Sequence, residues 1–447
     1  MKVLLLVIAE RFVEQRLAWR MLLLGPLIFV VGVCQAGELD TLTNDIKDLK
    51  DRIQELETKG TELRDGEAHK LHPVHSTKEV KIAGGFTGII QGTVNNERQF
   101  GGNSVQGNMS VDLYAEFPVQ EDGLFLLRLD VEQGAGLTDL PPLFTNPDGN
   151  PTGTNADVET WDSSQVHLVE ARYEQKFRND FLELIFGQID VTSFFDANNL
   201  ANSETTQYIA QHFVNNATID WGLSENFYGP GVIFISHPSD SLDISAGWFE
   251  GEGNYNDMFQ NPFLIGQVNL KTGHDNHAGS YRFYLWTRQT PHCQSASDPA
   301  KFLDCSLLDP ADRITLKSEN TGVGMSIDQR MSPQWGIWAR AGYQDPDVSQ
   351  FDRSFSIGAA MNNIMGRAYD VLGIAYGAAL PSDAYKAATG NGDTEHYFEL
   401  YYKYVIYGDG EITGIHVTPD LQIIANPGGD GSIEPLIVPG LRVQVHF

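Results

Sequence analysis

Arg128, Asp130 and Glu132 stand at every second position of one short run, with Phe125, Leu127, Leu129 and Val131 interleaved. Side chains on an extended chain alternate faces, so guanidinium and carboxylate groups share one face and an apolar row fills the other. The same parity turns Glu170, Arg172, Glu174 and Lys176 away from apolar rows, and likewise Arg282, Trp286, Arg288, Arg340, Glu399 and Lys403. Both signs recur. A one-signed basic ladder would suit phosphate, whereas mixed Arg and Glu offer donors and acceptors to neutral, hydroxyl-rich solutes. For any single residue, an ion pair with its neighbour is the competing role. Other chemistry has little support. No Gly-x-Ser-x-Gly and no His-Glu-x-x-His occurs, and the chain reads as a non-enzyme. Asp148-Gly149-Asn150 matches only part of a calcium loop and reads as a turn, and His69, His72 and His75 read as solvated linker residues. Cys-x-x-Cys-His is absent, so no c-type haem is carried; no metal ligand and no cofactor is assigned.

The elements that must position these residues are strands. From Leu441 the chain alternates strictly, with Leu441, Val443, Val445 and Phe447 on one face and Arg442, Gln444 and His446 on the other. Phe86–Val94, Met109–Phe117 and Phe125–Glu132 repeat that pattern. Further runs lie near 166–178, 181–190, 230–237, 241–250, 262–271, 277–289, 320–329, 333–344, 353–362, 370–379, 394–406, 411–423 and 435–447, about sixteen in all. Their connections alternate in length. Short ones such as Asn179-Asp180 and His237-Pro238-Ser239-Asp240 separate long ones at 134–165, 191–229, 251–261, 290–319, 380–393 and 424–434. A soluble sandwich has no reason to alternate in this way. The pattern predicts an all-β fold, a transmembrane antiparallel β-barrel over 80–447 with tight periplasmic turns and long external loops. Tyr401, Tyr402, Tyr404 and Tyr407 are expected in an interfacial girdle.

Before the barrel, Arg11, Arg16 and Arg20 precede an apolar run at Met21–Val33 that ends near Ala36, so residues 1–36 read as a signal peptide. Residues 38–64 carry Leu39, Ile46 and Ile53 alternating with Leu42, Leu49, Leu56 and Leu63 at heptad spacing. That predicts a short α-helical coiled coil in the periplasm, with self-association through 39–63, and 65–79 as a linker. Mean hydropathy of −0.25 argues against a helical membrane protein. A formal charge of −29, with no basic clusters, excludes nucleic acid as a partner and leaves outer-membrane lipid and small solutes. After export Cys293 and Cys305 are the cysteines that remain, in a polar stretch where a loop-closing disulfide is expected.

The longest connection, 191–229, is rich in Asn, Thr, Ser and Gln, and Phe194, Phe195, Tyr208, Phe213 and Trp221 argue that it packs. Folded inward it would narrow the channel, with Asp196, Asn198, Asn199, Asn202 and Gln207 at the constriction. Amides and ring faces suit sugars. The runs GQIDVTSFFDANNLANSETTQYIAQHFVNN (187–216), GRAYDVLGIAYG (366–377), ELYYKY (399–404), VTPDLQIIANPGG (417–429) and PGLRVQVHF (439–447) resemble OprB-type carbohydrate-selective porins. The resemblance covers most of 80–447 and is weak around the second and fifth long loops. It implies a sixteen-stranded outer-membrane barrel that passes monosaccharides or small oligosaccharides through a neck of loops and inward Arg and Glu. Rival readings are a general, cation-leaning porin, or a barrel sheathing an electron conduit, which would need a wide lumen.

Overall fold

The computed structural model describes residues 80–447 apart from 121, 145, 148–163, 223–227, 254, 256–257, 274–276 and 409–412. The expected signal peptide, heptad helix and histidine-bearing linker, and Asp148-Gly149-Asn150, lie outside the described residues. Sixteen antiparallel strands close a barrel. They are β1 (Lys81–Gly92), β2 (Val105–Val119), β3 (Gly123–Gln133), β4 (Ser164–Phe177), β5 (Leu182–Asp190), β6 (Tyr228–Ser239), β7 (Leu242–Glu250), β8 (Pro262–Thr272) and β9 (Gly279–Arg288). The set is completed by β13 (Asn320–Arg330), β14 (Trp335–Gln344), β15 (Phe351–Ile364), β16 (Arg367–Pro381), β17 (Glu395–Gly408), β18 (Gly414–Ala425) and β19 (Leu436–His446).

The closing pair shows why these residues make a membrane barrel. Across β1 and β19, Phe86 meets Val445 and Ile90 meets Leu441, while Thr87 meets Gln444 and Ile89 meets Arg442. Leu441 is 42% exposed and Arg442 is 1% exposed. A water-soluble sandwich would bury the apolar row instead, and this inversion is what a bilayer demands. It recurs around the barrel, with Phe186, Phe234, Leu285, Val323, Phe355 and Ile357 all exposed. Gly84 and Phe447 exchange N–H···O=C bonds of 2.9 and 3.0 Å, so the last residue is stitched to the first strand and closure leaves no open edge.

Connections at one rim are short, at 120–122, 178–181, 240–241, 331–334 and 365–366. Met365 and Gly366 have φ of 52° and 80°, the left-handed pair that a two-residue hairpin loop needs. The other rim carries 93–104, 134–163, 191–227, 289–319 and 382–394 among its connections. Every expected strand is present, with ends shifted by a few residues. Two readings change. The 289–319 connection contains a small sheet of β10 (His292–Ser295), β11 (Phe302–Asp304) and β12 (Arg313–Lys317), in the order β11-β10-β12. The expected Cys293–Cys305 disulfide ties β10 to the turn that follows β11. Tyr401 leaves the expected girdle, because the period of two turns it inward to 1% exposure while Tyr404 and Tyr407 are 40% and 61% exposed.

Candidate functional site: the lumen and the third long loop

The third long loop leaves β5 at Asp190, whose carboxylate accepts the Thr192 N–H at 3.0 Å and starts a 3-10 turn at Val191–Ser193. Its amide-rich sequence then bonds to itself. Asn202 Oδ1 accepts the Asn198 N–H at 3.1 Å, Gln207 Oε1 accepts the Asn202 N–H at 2.6 Å, and Gln207 Nε2 donates to the Asn199 carbonyl at 3.2 Å. Short polar side chains that satisfy nearby backbone let such a run fold compactly with little regular structure. A single helical turn, α1 (Gln211–Val214), follows.

Inward side chains of the barrel hold this loop. Arg340 on β14 donates from Nε to Asp196 Oδ2 at 2.9 Å and from Nη2 to the Asp196 carbonyl at 2.9 Å. Its Nη1 donates to the carbonyls of Ala201 and Phe213 at 2.7 and 2.6 Å. The Tyr284 hydroxyl and the Asn216 N–H also donate to the Asp196 carboxylate, at 2.8 and 2.6 Å. Buried ions persist only when paired and hydrogen-bonded this fully. On β17 the Glu399 carboxylate accepts the N–H groups of Ile209 and Ala210 at 2.5 and 2.9 Å. On β19 Arg442 donates to the carbonyls of Glu204 and Gln207 at 2.5 and 2.8 Å. On β13 Ser326 and Asp328 accept from Asn198 and Asn199 at 3.1 and 2.5 Å, and Arg282 pairs with Asp328 at 2.7 Å.

Under the loop, aromatic side chains sit directly across from glycines on the neighbouring strand. Trp286 faces Gly322, Tyr284 faces Gly324, Trp338 faces Gly358, and Tyr401 and Tyr397 face Gly373 and Gly377. The ring fills the space that a glycine side chain would need, since a Cβ at Gly373 would lie 2.1 Å from the Tyr401 ring. Loop aromatics pack on this floor, with Tyr208 5.0 Å from Tyr401 and Phe213 4.9 Å from Tyr397, centroid to centroid. Trp286 clusters with Trp221, Phe263 and Ile265, so it is packed beneath the loop rather than open to the channel.

Comparison with known proteins decides what barrel this is. The model of the carbohydrate-selective porin, OprB family, matches residues 38–447. The chain belongs to that family. It is an outer-membrane porin, a channel rather than an enzyme. The OprB structure of Pseudomonas putida at high pH is similar with a TM-score of 0.65 and 16% identity, over 83% of this chain and 94% of that one. An anion-selective porin of Comamonas acidovorans gives a TM-score of 0.51 at 8% identity, over 83% and 99%. Identities this low speak to the fold alone. Porin AaxA of Chlamydia pneumoniae is 21% identical over 296 residues, which is 66% of this chain and 62% of that relative.

In this OprB-family porin the other inward ions lie mainly on β3, β4 and β9. Arg172 bonds to Glu170, donates to Glu174 at 2.8 Å, and lies 5.0 Å from the Phe194 ring at the start of the loop. Arg128 donates to Asp112 at 3.0 Å, lies 3.6 Å from Asp190, and sits 5.2 Å over the Tyr114 ring. At 17% side-chain exposure it is the most open of the expected guanidiniums; Arg172 and Arg340 are at 3% and 1%. Arg288 bridges Asp220 of the third loop and Asp304 of the β10–β12 sheet, at 2.9 and 2.7 Å. Burial would raise the Asp220 carboxyl, but Arg288 beside it and hydrogen bonds from His292 and Asn320 hold it well below the usual carboxylate range. Lys176, further along β4, lies 3.6 Å from Asp180 in the short turn to β5. Lys403 is buried on the inner face of β17.

The OprB-family lumen also holds residues that sequence reasoning did not select. Asp112, Tyr114, Asp190, Asp328 and Arg442 complete the pairs above, and parity already marked the strand members among them as inward. His167 had no such signal. A β-bulge opposite Arg128 and Leu129 shifts the register of β4, so His167 pairs with Asp130 and lies 3.9 Å from Glu132. The second long loop bonds to the inner wall as well: Gln91 and Gln422 donate to the Pro147 carbonyl at 2.8 and 3.1 Å, and the Phe144 N–H donates to Glu395 at 2.9 Å. Its sequence signals only turns. Arg128, Arg172, Arg282, Arg288 and Arg340 are all paired with carboxylates. Such a wall presents fixed donors and acceptors rather than a one-signed field.

Proposed function

We propose that this porin passes monosaccharides, small oligosaccharides and other small hydrophilic solutes by passive diffusion, through a neck narrowed by the third external loop (191–229). The observation that carries this reading is the double fixing of the loop, by the Arg340–Asp196 pair and by the aromatic floor of Tyr401, Tyr397 and Trp338. Asp196, Asn198, Gln207, Arg340 and Glu399 then act by holding the loop. Solute contact falls to groups with exposed surface at the neck, Arg128 stacked on Tyr114 and the half-buried amides of Asn199 and Asn202. Glu170, Arg172 and Glu174 support that wall. A ring face covers the apolar face of a pyranose, while amide and guanidinium groups meet its hydroxyls. A cation-leaning general porin is the second reading, favoured by the formal charge of −29. Residues 1–36 are assigned as a signal peptide and 38–64 as a periplasmic helix that self-associates, by the same sequence reading.

Single-channel conductance in planar bilayers, titrated with glucose, maltose and phosphate, tests the proposal. Small conductance that millimolar sugar blocks and phosphate does not supports it. Large conductance indifferent to sugar sinks the sugar neck and favours the cation-leaning reading.

A further inference from the structure

The β10–β12 sheet holds the far end of the third long loop through one carboxylate. Arg288, at the end of β9, donates from Nη1 to Asp220 Oδ1 at 2.9 Å and from Nη2 to Asp304 Oδ2 at 2.7 Å. His292 Nε2 lies 2.7 Å from Asp220 Oδ2, to which Asn320 also donates at 3.1 Å. His292 and Asp304 stand directly opposite each other in the β10–β11 register. Asp220, His292, Asp304 and Arg288 thus close a ring. Cys293 follows His292, Cys305 follows Asp304, and the two cysteines are bridged. Gly222, with φ of 61°, lies so close to Arg288 and the Gly251 carbonyl that a Cβ would collide with both. From Asp220 the chain turns straight back to the neck. Thr218 Oγ1 donates to Asn216 Oδ1 at 2.9 Å, the Ile219 N–H donates to the Asn216 carbonyl at 3.1 Å, and the Asn216 N–H donates to Asp196 at 2.6 Å. Ile219 and Trp221 share a buried cluster with Phe195, the neighbour of Asp196.

The strands that present this ring are short: β10 has 4 residues and β11 has 3. A pairing of that length is marginal in water by itself. A crosslink restricts the separated chain, and across 12 residues it shifts opening of the pair by about 10²-fold in the chain-entropy account. We propose that the Cys293–Cys305 disulfide is a positioning element of the neck, keeping His292 and Asp304 opposed so that they and Arg288 grip Asp220 and seat the third loop. The proposal rests on the reading that 191–229 forms the neck. The disulfide touches no solute and acts through Asp220. Both cysteines are buried, at 0% and 9% exposure, which suits a lasting tie rather than a reactive thiol pair. A bridge that merely stiffened its own sheet would leave the neck indifferent to its loss. This one joins the two strands whose side chains reach the loop, and the turn from Asn216 to Asp220 carries the hold on to Asp196.

The test uses the full chain in planar bilayers and compares the wild type, the pair Cys293→Ser with Cys305→Ser, Asp220→Ala, and all three changes together. Time spent in larger, noisier current levels should rise more than about ten-fold in the serine pair, part of the 10²-fold being absorbed by the other loop anchors. In the Asp220→Ala background the serine pair should add less than about two-fold, since both changes break one linkage. Dithiothreitol reads the same tie in folded wild type. It takes up the bridge as its own cyclic disulfide, leaves two protein thiols, and should reproduce the serine-pair current while leaving the serine pair itself unchanged. Wild-type current in the serine pair, or effects of the serine pair and Asp220→Ala that simply multiply, would overturn the proposal. Glucose block of the wild type is scored separately. Its absence would sink the sugar reading, while the change in current would still report whether the disulfide seats the loop.

Discussion

Replacing Arg340 with alanine should loosen the third long loop from the barrel wall. The side chain makes five hydrogen bonds to loop atoms: two to Asp196 and one each to Ala201, Phe213 and Asn202. Its ion pair with Asp196 is buried at 1% and 0% side-chain exposure, so solvent screening gives little relief. Removing one partner of such a pair costs about 3–5 kcal/mol, chiefly because the other charge stays buried alone. Set against the equilibrium between docked and undocked loop, that is a shift of about 10²-fold to several thousand-fold. The anchors at Glu399 and Arg442 and the aromatic floor remain, so the loop should open more often rather than leave. Single-channel records should show larger, noisier current, and limited proteolysis should nick the loop sooner. Arg340→Lys keeps the charge but loses the planar fork and should fall between. Pairing Arg340→Met with Asp196→Asn removes both charges and should recover part of the loss, which a double-mutant cycle would measure. Wild-type current and wild-type protease protection in Arg340→Ala would refute the claim that this pair holds the loop.

Three further outcomes follow from the same geometry. Asp220→Asn should weaken the link between the third loop and the β10–β12 sheet at neutral pH. The wild-type carboxyl is held low by Arg288 against burial, so its stabilisation is present above about pH 4 and fades as pH falls through the folded value; melting curves of the two proteins should converge in acid. Joint replacement of Cys293 and Cys305 by serine opens a crosslink spanning 12 residues, worth about 3 kcal/mol in chain entropy. The loss should make the β10–β12 sheet protease-sensitive while the barrel's heat resistance is unchanged. Ile357→Arg places a charge on the outer, lipid-side row, where Ile357 is 54% exposed, and should cost about 2–4 kcal/mol near the midplane in urea unfolding from bilayers. A neutral effect there would contradict the assignment of that face to lipid.

What could be read from sequence was what neighbours at i and i+2 decide. The apolar rows of β1, β2, β3 and β19, the inward set from Arg128 to Glu399, the sixteen strands and the alternation of short and long connections all follow from a period of two and from turn residues. Tyr401 was legible by the same rule and went astray because clustering in sequence was given more weight than parity. His167 was not, since a single bulged residue on β4 reverses the count. Nor was the inward path of the second loop, held by Gln91, Gln422 and Glu395.

Alone, the sequence determined that the strands close a barrel and which face of each looks inward wherever no bulge interrupts the period of two. Tertiary structure decided which inward ion meets which loop atom. Arg340 reaches Asp196 across 144 residues, Glu399 reaches Ile209 across 190 and Arg442 reaches Glu204 across 238. Local periodicity carries no information at such separations, because only closure of the barrel brings those strands around one lumen. The physical reason Trp286 packs under the loop, and Arg128 is left more open, lies there too: burial inside a barrel depends on where the long loops come to rest.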